Sequence, residues 1–160
     1  MSSTLESAVI DSSALMCIAK NEPAAKIFHA ELVKVDKLYI SAPTKAEALL
    51  AAMAAKDHLA SEIMAALMVA LQVETIDFKA LDVPTYHQAA LKYHLKATPA
   101  GLLNMGDIFS LVLAQQMNLP LFFQGLDFLA TPVKNAMQIL GYEMTQENKG
   151  VPHGIHARTL

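Results

Sequence analysis

Ala8-Val9-Ile10-Asp11-Ser12-Ser13-Ala14-Leu15 sets the reading of this chain. The apolar run Ala8-Val9-Ile10 has no polar alternation, as a strand buried on both faces requires. A carboxylate ends it. Over residues 13–20 the spacing of Leu15 and Ile18 then predicts a helix with an inward face. A buried strand running straight into a helix is the start of an α/β chain.

The alternation continues. Glu22-Pro23 opens a second helix, with Ala24, Ile27, Phe28, Leu32 and Val35 at helical spacing. Leu38-Tyr39-Ile40 reads as a second strand. Pro43 starts a third helix through Glu47, Leu50 and Met53 to about Lys56, with Asp57-His58 as its break or cap. Residues 60–71 form an Ala- and Met-rich helix and 73–76 a third strand. Asp82 caps a helix that runs to about residue 95. A loop over 97–105, a helix over 106–118, a strand over 119–123 and a tight loop over 124–127 follow. A last helix spans 133–140 and ends at Gly141. This order predicts a central, mainly parallel β-sheet flanked by helices on both faces. We expect one domain over residues 1–141 and a loosely held polar tail over 142–160, with Gly150, Pro152 and Gly154.

Four acids stand at the element ends: Asp11, Glu47, Asp107 and Asp127. In a parallel sheet, ligands bind beyond the carboxyl ends of the strands. Asp11 and Asp127 follow strands, and Glu47 and Asp107 sit near helix starts, so all four can meet at one edge. Converging carboxylates repel, and a divalent cation is the simplest remedy. That suggests metal-dependent phosphoryl transfer. Each acid also has a plain structural use. Asp11 can cap its helix, Glu47 can pair with Lys45, Asp107 can favour a helix N-terminus, and Asp127 can be a turn residue.

Composition narrows the choice. A chain of 160 residues that is 54% apolar supports one cored domain and argues against disorder. Cys17 is the only cysteine, which excludes an intrachain disulfide and points to a reducing compartment. The N-terminus lacks signal-peptide features, and the apolar run 63–71 is too short to span a bilayer. We expect a soluble cytoplasmic protein with no membrane contact. A net charge of −3, with Arg158 the only arginine, disfavours a simple nucleic-acid binder. Lys20, Lys45, Lys79, Lys92 and Lys96 can still form a local patch. A loaded acidic metal site also adds positive charge of its own. His87 and His94 read as surface residues, His153 and His156 as tail residues, and Cys17 as packing.

Four motifs in order carry a family resemblance. Val9-Ile10-Asp11-Ser12-Ser13-Ala14-Leu15 resembles the opening of PIN-domain proteins, in particular VapC-type toxins. Ile40-Ser41-Ala42-Pro43-Thr44-Lys45-Ala46-Glu47 resembles their second acidic motif. Asn104-Met105-Gly106-Asp107, with Ser110, Leu113 and Ala114, resembles the third. Leu119-Pro120-Leu121-Phe122-Phe123-Gln124-Gly125-Leu126-Asp127-Phe128 resembles the fourth. The match runs over roughly residues 8–131.

The resemblance implies a PIN fold and a Mg²⁺- or Mn²⁺-dependent endoribonuclease, the toxin of a type II toxin–antitoxin pair. It implies an RNA substrate, a small cognate antitoxin and a homodimer. By family role, the catalytic acids Asp11, Glu47, Asp107 and Asp127 would bind metal directly or through water, with Ser13 at the hydroxyl position of the first motif. We expect Asp11 and Asp107 to hold the principal ion, Glu47 and Asp127 to orient its water or complete a second site, and Asn104 to support them. The fourth motif departs from the family pattern at Gln124, Leu126 and Pro132. Two other readings compete. A haloacid-dehalogenase-type phosphatase wants a second Asp where Ser13 stands. A catalytically silent PIN domain that binds protein would differ from the enzyme in metal affinity.

Overall fold

β1 (Ser7–Ile10) lies inside a sheet of four parallel strands, in the order β3-β2-β1-β4. The structure, a computed structural model, describes residues 4–55, 58–94, 103–144 and 155–157. β2 is Lys37–Ser41, β3 is Glu74–Ile76 and β4 is Leu121–Phe122. Val9 stands in register with Tyr39 on one side and Leu121 on the other. Parallel neighbours need crossovers. α1 (Ser12–Ala19) and α2 (Ala25–Leu32) connect β1 to β2. α3 (Ala42–Ala54) and α4 (His58–Ala70) connect β2 to β3. α5 (Val83–Tyr93) and α6 (Met105–Met117) lie between β3 and β4, and α7 (Ala136–Ile139) follows β4.

The strands sort side chains to two faces with period two. Ala8, Ile10, Leu38, Ile40 and Phe122 join Phe28, Leu32 and Met64 in one core. Val9, Leu121 and Phe123 join Tyr93, Ile108 and Leu111 in the other. Helices therefore cover both faces, as the apolar strands required. Burying one such side chain contributes roughly 1.5–3 kcal/mol. Loss of a few such side chains from either face would therefore erase the ~5–15 kcal/mol net stability of a domain.

The structure corrects several boundaries. β4 is reduced to Leu121–Phe122. The helix expected over 133–140 is the single turn α7, because Leu121 N donates to Lys134 O at 2.8 Å and draws that stretch alongside β4. Asn135 then caps the turn, accepting from Met137 N and Gln138 N. Asp82 makes no side-chain cap on α5. Its carboxylate accepts from Lys79 N at 2.7 Å and from Gln116 Nε2 at 2.9 Å, holding the 3₁₀ turn Ala80–Asp82. The break expected at Asp57 and most of the loop over 97–105 lie outside the described residues. The stretch read as a polar tail contains two strands, β5 (Tyr142–Met144) and β6 (Ile155–Ala157), paired antiparallel. Tyr142 anchors it, its hydroxyl donating to the buried Glu31 at 2.8 Å. Among the described residues no helix is long and apolar enough to cross a membrane.

Candidate active site

Asp11 leaves β1 and becomes the N-cap of α1, 1% exposed. Its Oδ2 accepts from Ser13 N at 3.0 Å and from Ser13 Oγ at 2.6 Å. Its Oδ1 accepts from Ser110 Oγ, also at 2.6 Å. These donors offset the cost of burying a carboxylate. A carboxylate offers roughly four lone-pair positions, so about one remains open. Ser13 Oγ also accepts from Gln124 N at 3.0 Å, which ties Asp11 to the loop after β4.

Glu47 lies on α3, half-buried. Ser12 Oγ donates to its Oε2 at 3.3 Å. Its carboxylate rests directly against Gly106 of α6, where any Cβ would overlap it. Burial pushes the Glu47 carboxyl above its ordinary pKa, and the charge of Asp11 adds to that. The expected Glu47–Lys45 pair is absent, because Lys45 Nζ donates to Thr75 Oγ1 on β3 at 3.0 Å.

Asp107 is the third residue of α6, 7% exposed. It closes a capping box with Asn104. Asp107 Oδ2 accepts from Asn104 N, and Asn104 Oδ1 accepts from Asp107 N, both at 2.8 Å. Burial and then the Asp11 charge push its carboxyl up to about 7, with Asp127 and Glu47 adding to the rise. The Asn104 N–H pulls the other way and is outweighed. Asp127 is exposed and begins the 3₁₀ turn Asp127–Ala130. The structure therefore brings Asp11, Glu47 and Asp107 to one edge of the sheet and sets Asp127 at its rim. The capping uses expected for Asp11 and Asp107 are real as well, and they fix the two carboxylates in place.

A hard divalent cation suits this set. The donors are carboxylate oxygens, which Mg²⁺ and Mn²⁺ favour. Burial first, and then the charge of Asp11, disfavours the ionised forms of Glu47 and Asp107, and a cation bound there would offset both. Among the described residues, no three His, Cys, Asp or Glu side chains already stand as a closed cation cage. The acids share one electrostatic neighbourhood without yet converging on a point.

Four supporting residues carried no assigned role in the sequence. Ser110 and Thr44 are wholly buried and share a hydrogen bond at 3.2 Å, so a Thr44–Ser110–Asp11 chain joins α3, α6 and β1. Ser12 holds Glu47, and Gly106 makes room for it. A signal was present. Thr44 precedes Glu47 by three and Ser110 follows Asp107 by three, the spacing that puts two side chains on one helix face. His94 stands apart, its Nδ1 paired with Leu103 O at 2.7 Å. Cys17 is buried, and burial first, then Glu22, pushes its thiol up to about 12, which suits packing.

The sequence and the fold match known proteins. The PIN domain family matches residues 8–134. VapC ribonuclease Mb2780c of Mycobacterium bovis is 31% identical over 131 residues, covering 80% of this chain and 98% of that protein. Ribonuclease VapC42 of Mycobacterium tuberculosis matches equally. Solved structures share the fold at lower identity. VapC20 of Mycobacterium tuberculosis, a sarcin–ricin loop cleaving toxin, superposes with a TM-score of 0.63 at 14% identity over 78% of this chain and 95% of that one. VapBC2 of Rickettsia felis, bound to a DNA fragment from its promoter, gives 0.60 at 17% identity over 81% and 96%. A toxin–antitoxin complex from Klebsiella pneumoniae gives 0.57 at 20% identity over 78% and 92%. The chain belongs to the PIN-domain family, among its VapC ribonucleases.

Proposed function

We propose that this protein is a metal-dependent endoribonuclease that hydrolyses RNA phosphodiester bonds as the toxin of a toxin–antitoxin pair. One observation carries the reading: in a chain of the VapC ribonucleases, the buried carboxylates Asp11 and Asp107 stand with Glu47 at the carboxyl edge of the sheet. Carboxylates gathered where burial and one another's charge disfavour ionisation suit a divalent cation.

Asp11 and Asp107 would hold Mg²⁺ or Mn²⁺, and Glu47 and Asp127 would orient its water or complete a second site. Bound there, the cation supplies positive charge to the scissile phosphate and acidity to the water. The chain's own residues do the positioning. Ser13 and Ser110 fix the two oxygens of Asp11, and Asn104 fixes Asp107. Ser12 and the bare Cα of Gly106 set Glu47. The cation also brings the positive charge that a chain of net charge −3 lacks for meeting RNA. The reading includes a small antitoxin, supported by relatives of this fold held in toxin–antitoxin complexes. It also includes a homodimer and a cytoplasmic setting, the latter in keeping with one buried, unpaired cysteine.

Cleavage of total RNA by the purified protein, with Mn²⁺ or Mg²⁺ and with chelator, tests this beside Asp107→Asn. Metal-dependent cleavage that the variant loses by 100-fold or so, with its fold intact, is the expected result. No cleavage and no metal affinity in the unmodified protein would leave a silent binding domain.

A further inference from the structure

Six phenylalanines occur in the chain. Phe28, Phe122, Phe123 and Phe128 are buried in the cores, none more than 2% exposed. The other two, Phe78 and Phe109, are half-buried and meet each other and the half-buried Tyr86 at the surface. Phe78 and Phe109 pack edge-to-face at 4.9 Å between ring centres. Tyr86 and Phe109 lie 4.5 Å apart, tilted by 37°. Phe78 and Tyr86 complete the triangle at 5.8 Å.

The cluster stands beside the acids. Phe78 follows β3, so it leaves the sheet at the same carboxyl edge from which Asp11 departs. Phe109 is three residues after Gly106, hence its neighbour on the α6 surface, and Gly106 is where Glu47 rests. Tyr86 is pinned to the first residue of α6, its hydroxyl donating to Met105 O at 3.0 Å. Two lysines lie nearby in the fold: Lys45 donates to Thr75 within β3, and Lys79 directly follows Phe78 in sequence. Met105, 68% exposed, extends the apolar surface.

Resting on the nuclease reading above, we infer that Phe78, Tyr86 and Phe109 form a stacking platform for an unpaired base of the RNA strand, next to the phosphodiester held at the carboxylates. Sequence-tolerant grip on single-stranded RNA comes from aromatic faces, with backbone charge met by lysine. An acidic cleft needs such a grip, because phosphate contacts alone give it little hold. The continuity of the rings with Gly106 and Glu47 favours a strand that passes through the site over a protein docked across it.

The test uses a single-stranded oligoribonucleotide carrying 2-aminopurine, with the full-length protein and Ca²⁺ in place of the catalytic metal. Phe109→Leu and Phe78→Leu keep apolar volume and remove the ring. Each is expected to weaken binding about 5- to 150-fold and to abolish quenching of the stacked base. Under cleavage conditions the loss falls on KM more than on kcat. An abasic position walked along the oligonucleotide supplies the same readout on the unmodified protein, so a variant that misfolds does not stop the test. Binding and quenching unchanged by both variants, in a protein that still cuts RNA, would overturn the platform and leave the nuclease standing. A change of oligomeric state with RNA affinity intact would assign the patch to a protein partner and overturn it too. Failure of the unmodified protein either to bind the oligonucleotide or to cut RNA would remove the nuclease reading and the platform together.

Discussion

Ser110 Oγ donates to Asp11 Oδ1 at 2.6 Å, joining residues 99 apart in sequence inside a buried contact between α6 and the end of β1. Asp11 depends on this bond for its remaining donor beyond those of Ser13. Ser110→Ala should therefore cost about 1.5–3 kcal/mol, the range for a hydrogen bond to a charged group. It should also reduce RNA cleavage. Urea unfolding and cleavage on one preparation check both; unchanged stability would show that Asp11 finds another donor.

Gly106→Ala separates site from fold. Alanine favours a helix by about 1 kcal/mol over glycine, so stability should change little. Its Cβ, however, enters the space of the Glu47 carboxylate. Cleavage should drop at least 10-fold, and the drop should nearly vanish in a Glu47→Ala background, as expected for two residues that act through one contact. Equal losses in both backgrounds would contradict that assignment.

Asp107 predicts a pH dependence in metal-free protein. Its carboxyl is pushed from 3.8 to about 7 in the folded state, so the folded chain holds the proton more tightly than the unfolded one. The stability this provides is complete below about pH 4 and is lost as pH rises through 7, a few kcal/mol in all. With chelator present, the melting temperature should fall between pH 5 and pH 8, more steeply than in Asp107→Asn. Adding Mn²⁺ at pH 8 should restore much of the difference in the unmodified protein. Parallel pH profiles for the two proteins would refute the assignment.

Tyr142→Phe tests the C-terminal anchor. Glu31 would keep Lys34 at 2.9 Å and lose the Tyr142 hydroxyl. A cost of about 1 kcal/mol with RNA cleavage unchanged is expected. Chemical denaturation beside a cleavage assay reads both.

Much of the site was legible because strand–helix junctions are. Asp11 ends an apolar run, and its place at the sheet edge follows from the alternation of strands and helices alone. Asp107 sits in a sequence, Asn104-Met105-Gly106-Asp107, that reads as an acidic motif and folds as a capping box. Spacing put Ser110 on the helix face of Asp107, but nothing local told that face to meet the end of β1, so its bond to Asp11 was not legible. Gly106 looked like a helix start, and only the packing of α3 on α6 shows that its missing Cβ seats Glu47. The stretch 133–140 looked helical throughout because a backbone bond from Leu121 to Lys134 leaves no trace in apolar spacing. Strands as short as Tyr142–Met144 carry too few residues to show a period.

Asp11 is synthesised before Asp107, Ser110 and β4, with Ser110 following it by 99 residues. A nascent chain halted before α6 carries the first carboxylate with neither its long-range donor nor its acidic neighbour. A partly made chain therefore holds an incomplete set of carboxylates, and the set closes only once α6 has packed against the end of β1.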